Sequence, residues 1–140
     1  MAKITYLTLF DFEIICTELK SFFSKNKDPI PSYSQSYFEK LDSIISTPQR
    51  TFDKRDLYDD IYKKAACYFY FINKLHPFNN GNKRISIVAT GVFLLLNNIE
   101  FTADEEVMYR FAKSITVSHR DQEKEFKEVV DFVIECSKKG

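Results

Sequence analysis

The chain predicts an all-α fold, a compact antiparallel bundle of about six helices, on three observations. Gly and Pro number only 3 and 4 among 140 residues. Apolar residues recur at three- and four-residue spacing, while strand-like alternation is scarce. A polar loop, His76 to Arg84, separates two apolar stretches, and the second, from Ile85 to Leu96, carries no charge. That loop would sit at the N-terminus of a buried central helix. The whole chain, residues 1–140, reads as one domain of ordinary size.

The elements follow in order. A first helix fits about Leu9 to Phe23, capped by Thr8 with Asp11 three residues on, and striped by Phe12, Ile15 and Leu19. Ser24 to Pro31 breaks it. A second fits Gln35 to Ile45, with Leu41 and Ile44 at helical spacing, and Ser46-Thr47-Pro48 ends it. Gln49 to Arg55 is polar and reads as a solvated loop. The third helix spans Asp56 to Leu75 on a stripe from Leu57 through Ile61, Ala65, Tyr68 and Ile72. The fourth, Asn82 to Asn97, is apolar on every side and is expected at the centre of the bundle. Thr90 and Gly91 would let a neighbour approach it, and Asn97-Asn98 supply its end. Ile99-Glu100-Phe101 is short and extended. Thr102 to Glu105 reads as a capping box opening a fifth helix to Thr116. A last helix covers Asp121 to Ser137, and His119-Arg120 before it reads as solvated.

Lys plus Arg and Asp plus Glu both number 20, so the formal charge is zero. That argues against non-specific nucleic-acid binding, which needs a basic face. The longest uncharged apolar run is too short to span a bilayer, and the N-terminus lacks a signal-peptide pattern. Cys16, Cys67 and Cys136 are odd in number and widely spaced, suggesting neither disulfides nor a zinc site. A reducing cytoplasm is the expected setting.

The chemistry concentrates in His76-Pro77-Phe78-Asn79-Asn80-Gly81-Asn82-Lys83-Arg84. The start of a helix points unpaired N–H groups outward and attracts phosphate. Gly81 permits the positive φ with which N–H groups form an anion-binding nest. Asn82 is expected to cap the fourth helix and can donate to phosphate. Cations are unfavourable at a helix N-terminus, so Lys83 and Arg84 there point to an expected anion. Arg84 suits bidentate phosphate binding, with Lys83 as a point charge. His76 can accept a proton near neutral pH, although a histidine ending a helix also serves simply to meet its last carbonyls. Pro77 and Phe78 look structural, with Phe78 anchoring the loop in the core. An anion cradle beside a base is what phosphoryl or nucleotidyl transfer requires.

This nonamer resembles the signature of the Fic/Doc superfamily: His-Pro-Phe, two residues, Gly-Asn, then Gly-Arg or Lys-Arg. The resemblance rests on Lys63 to Leu96, and the residues before Leu57 add little. The Lys83-Arg84 ending is similar to the Doc (death-on-curing) branch, the toxin of a toxin–antitoxin pair. The resemblance implies a Fic/Doc-type bundle, His76 as the catalytic base, and ATP bound through Asn80, Gly81, Asn82, Lys83 and Arg84. It implies transfer of the γ-phosphate of ATP to a hydroxyl of a protein, elongation factor Tu by family analogy, and a separate antitoxin as partner. A flap before the motif helix, along which a target segment lies, would fall in the polar stretch Gln49 to Arg55. AMP-transferring Fic proteins carry Gly at the position of Lys83 and a second Arg where Ile87 stands. Both departures favour phosphate over AMP transfer, which remains the alternative. Position 80 usually holds an Asp or Glu that binds Mg²⁺. Asn80 offers only a neutral carbonyl to that cation, so the resemblance implies either Mg²⁺ held weakly by Asn80 with ATP phosphates supplying most ligands, or a non-catalytic phosphate-binding module.

Overall fold

In a computed structural model, which describes residues 3–22, 33 and 36–139, six α-helices carry the fold. They are α1 (Leu9–Phe22), α2 (Phe38–Ser46), α3 (Ile61–Leu75), α4 (Asn82–Leu96), α5 (Glu105–Val117) and α6 (Gln122–Glu135). Two small antiparallel pairs accompany them: β1 (Thr51–Phe52) with β2 (Arg55–Asp56), and β3 (Ile99–Phe101) with β4 (Ser137–Lys139). The break expected over 24–31, the residue Phe23 and the expected helix start at Gln35 lie outside the described residues.

α3 and α4, joined through residues 76–81, form the central pair. α3 is the more enclosed of the two. It touches α2, α4, α5 and α6, and its face from Lys64 to Tyr70 is buried without a break. α4 was expected at the centre, yet Leu95 and Leu96 at its far end are exposed. Buried Phe12, Leu41, Ile44, Tyr68, Phe69, Phe78, Ile85 and Phe93 belong to one continuous core. Phe111 and Phe132 stack at 4.1 Å between centroids and join α5 to α6.

Helix boundaries follow the capping chemistry. Thr8 and Asp11 bond reciprocally: the Thr8 N–H donates to Asp11 Oδ2 at 2.8 Å, and the Asp11 N–H donates to Thr8 Oγ1 at 3.3 Å. α2 starts at Phe38, three residues after the expected Gln35. α3 starts at Ile61 rather than Asp56 because Asp60 caps it, accepting from the Lys63 N–H. Leu57, expected on the α3 stripe, is exposed beside the β1–β2 hairpin. Asp104, not Thr102, caps α5 by accepting from Glu106 and Val107. α6 stops at Glu135, so that residues 137–139 can pair with β3. The expected solvated loop at 49–55 contains a hairpin. Asp53 and Lys54 both have positive φ (52° and 65°), the geometry of a two-residue hairpin turn.

Buried polar groups brace this frame. Lys64, 1 % exposed, donates to the Pro48 carbonyl at 2.9 Å and pairs with Asp56 at 3.2 Å, with Tyr6 beneath its ammonium. Lys64 thereby pins the base of the hairpin. Glu125 on α6 accepts from Tyr70 and pairs with Lys74 at 2.9 Å and Arg120 at 3.4 Å. Arg120, expected to be solvated, therefore holds α6. Burial alone would raise the Glu125 pKa. Hydrogen bonds from Ser118, Lys74 and Tyr70, with the Lys74 charge, outweigh it and hold the carboxyl below its usual value.

Two predictions follow from this packing. A Cβ at Gly91 would meet the Phe101 ring at 3.6 Å, an ordinary contact. Gly91→Ala is expected to stabilise by about 0.5–1 kcal/mol, read as a rise in the thermal midpoint. Glu125→Gln should cost about 2 kcal/mol near neutral pH. Because the folded pKa is lowered, the wild-type advantage is full above the usual carboxylate value and disappears as pH falls through the folded one. Parallel denaturant titrations of both proteins at neutral and acid pH would show the gap closing.

Candidate active site

α3 delivers His76 and α4 delivers the cations. Pro77 and Phe78 turn the chain between them. The Pro77 carbonyl accepts from the Tyr37 N–H at 2.7 Å, which docks the start of α2 on the loop. Phe78 is 1 % exposed, its ring 6.4 Å from that of Phe12. Burying a side chain of this size removes the loop's freedom to swing outward.

His76 sits one residue past α3 in the left-handed region, with φ 51° and ψ 64°. Its N–H donates to the Ile72 carbonyl at 3.2 Å. Gly or Asn usually takes this place. A histidine there carries backbone strain that helix geometry alone does not demand. The ring lies at the exposed side of the loop. Its pKa is pushed below the usual value, first by partial enclosure and then by the charges of Lys83 and Lys40. Near neutral pH the ring is therefore uncharged, the form a general base needs.

Asn82 is the first residue of α4, and Gly81, with φ 73°, is its N-cap. The expectation that Asn82 caps the helix is thus corrected. Its side chain turns back into the loop instead. Oδ1 accepts from the Phe78 N–H at 3.2 Å, and Nδ2 donates to the Phe78 carbonyl at 2.8 Å. Nδ2 also lies 3.4 Å from His76 Nδ1. The buried amide is committed to protein groups, so its backbone N–H, in the first turn of α4, is what Asn82 can offer an anion. Gly81 is buried beside it.

Lys83 and Arg84 are half-buried and share one aromatic neighbour on α5. Lys83 Nζ stands 6.0 Å, and Arg84 Cζ 5.2 Å, from the centroid of Tyr109. Arg84, Ile87, Val88, Leu19, Glu105 and Tyr109 line an open cavity of about 350 Å³ beside them. Asn79 and Asn80 are exposed. Among the described residues no group of three or more His, Cys, Asp or Glu could hold a metal ion. Asn80 brings a single neutral side-chain oxygen to the loop, a weak ligand for a hard cation.

The loop thus gathers a base, a helix N-terminus, a glycine turn and two cations, an arrangement suited to holding a phosphate beside a proton acceptor. Residues 9–94 match the model of the Fic/DOC family. The chain belongs to the Fic/DOC family. The family match reaches back through α1 and α2, well before the Lys63–Leu96 segment that carried the resemblance. Over 67 residues the chain is also 33 % identical to a protein named Toxin Doc from Mycolicibacterium smegmatis, covering 48 % of this chain and 52 % of that one. The chain spans about half the length of this curated relative. Among the described residues, no helix is long and apolar enough to cross a membrane.

Lys40 and Tyr109 are the neighbours that sequence reasoning missed. Each sits within an ordinary amphipathic helix, and only tertiary packing brings it to the loop. Two outcomes are expected. His76→Gly should raise stability by about 1 kcal/mol by relieving the left-handed strain, measured by denaturant unfolding. Lys40→Ala removes a repelling charge and should move the His76 titration, followed by proton NMR of the imidazole, toward higher pH.

Proposed function

We propose that this family member is a Doc-like toxin of a toxin–antitoxin system that transfers the γ-phosphate of ATP to a hydroxyl of a protein target. The observation that carries the reading is the juxtaposition of His76 with the start of α4, across a 3.4 Å contact to Asn82. The N–H groups at the start of α4, with Lys83 and Arg84, hold the γ-phosphate. His76 takes the proton from the target hydroxyl as its oxygen bonds to phosphorus. The bond from that phosphorus to the bridging oxygen breaks, and ADP leaves with the electron pair. At 3.4 Å the Asn82 contact is too long to fix the tautomer, so the one basic nitrogen of the neutral ring can be either Nδ1 or Nε2.

Phosphate transfer is favoured over AMP transfer because the Lys83 side chain occupies room that glycine leaves to a nucleotide's inner phosphates in AMP-transferring relatives. The exposed β1–β2 hairpin suits the role of the flap against which a target segment lies. By family analogy the target is elongation factor Tu, the effect arrested translation in the cytoplasm, and the restraint a separate antitoxin. The neutral Asn80 favours a second reading, a phosphate-binding interaction module that has lost its chemistry.

Growth arrest on induction, with label from γ-labelled but not α-labelled ATP appearing on a lysate protein, is expected of the wild type. His76→Ala should lower the labelling rate roughly a hundredfold or more. Label from α-labelled ATP would indicate AMP transfer. Arrest that persists in His76→Ala without any label would favour the interaction module. Asn80→Asp restores a carboxylate and is expected to raise the Mg²⁺ dependence of labelling.

A further inference from the structure

We propose that Tyr109 is a positioning residue for the anion cradle, its ring face holding Lys83 and Arg84 together at the start of α4. The inference rests on the reading of those two cations as phosphate-binding. Adjacent like charges repel each other, and both stand at the positive end of a helix. The Tyr109 ring lies within cation–π distance of both, 6.0 Å from Lys83 Nζ and 5.2 Å from Arg84 Cζ. A guanidinium over a ring keeps its N–H donors in its own plane, where they can still bond an anion.

The placement of Tyr109 is itself well determined. It lies in the second turn of α5, whose start is fixed by the Asp104 cap. Its neighbour Met108 is buried in the protein interior. The ring is half-buried and forms part of the wall of the cavity beside Arg84. α5 packs directly on α4, so the ring is delivered by a rigid element rather than by a loop. A pre-placed pair of cations loses less freedom when an anion arrives, and this appears as affinity.

The test is calorimetric titration with ATP and, separately, with inorganic tripolyphosphate, of the wild type, Tyr109→Leu, Tyr109→Met, Tyr109→Phe and Arg84→Ala. Thermal midpoints are recorded alongside, and Tyr109→Met retains bulk should the leucine variant fold poorly. The expected result is a rise of about tenfold in Kd for the Leu and Met variants with both probes, and wild-type affinity in the Phe variant, which keeps the ring. Wild-type affinity in folded Leu and Met variants overturns the proposal while leaving the ATP reading intact. A Phe variant as weak as the Leu variant also overturns it, since the hydroxyl and not the ring face would then matter. Tripolyphosphate binding that depends on Tyr109, without ATP binding by the wild type, supports the positioning role and counts against the ATP reading. Failure of the wild type to bind either probe overturns both.

Discussion

The side-chain amide of Asn82 closes a ring with the backbone of Phe78, accepting from its N–H and donating to its carbonyl, and its remaining hydrogen faces His76. The oxygen and one N–H of this amide are committed to Phe78. This clamp sets the distance between the end of α3 and the beginning of α4. Phe78 is held from the other side by its burial against Phe12. With both ends of the turn fixed, the αL backbone of His76 and the glycine cap of α4 become consequences of closing a tight connection between two packed helices.

Below the loop, a second set of polar contacts keeps the two helices in register. Asn73 on α3 donates to Ser86 on α4 at 2.8 Å, and Ser86 passes a hydrogen bond to the Lys83 carbonyl at 2.7 Å. Thr116 on α5 reaches the same Asn73 at 3.4 Å. Three helices thus meet at one buried amide a turn beneath the cations. Among the described residues no buried side-chain nitrogen or oxygen lacks a partner. A fully satisfied polar cluster of this kind specifies one alignment of helices more sharply than apolar packing does.

The helical architecture and the motif were legible because both are written locally. Periodicity gave α1 and α4 nearly to the residue, and the composition of residues 76–84 marked the loop. What was not legible depended on distant partners. Asp104 and Thr102 are both good caps in isolation, and the Thr102 N–H goes instead to the Cys136 carbonyl at 2.8 Å, next to the β3–β4 pairing. Asn82 looked like a cap until its amide found Phe78. The hairpin at 51–56 escaped because Asp53 and Lys54 adopt positive φ without a glycine to announce it. Tyr109, Lys40 and Glu125 carry no local mark at all.

The anchorage of Lys64 gives the hairpin a particular mechanics. Its root is gripped by a buried ammonium that would be stranded if Asp56 and the Pro48 carbonyl moved away, which makes lifting from the root the costly motion. The free end carries Phe52, 76 % exposed. The ribbon is thus anchored where it joins the body, like a cantilever held at its root. Whatever meets the exposed Phe52 is thereby carried on a root fixed to the helices behind.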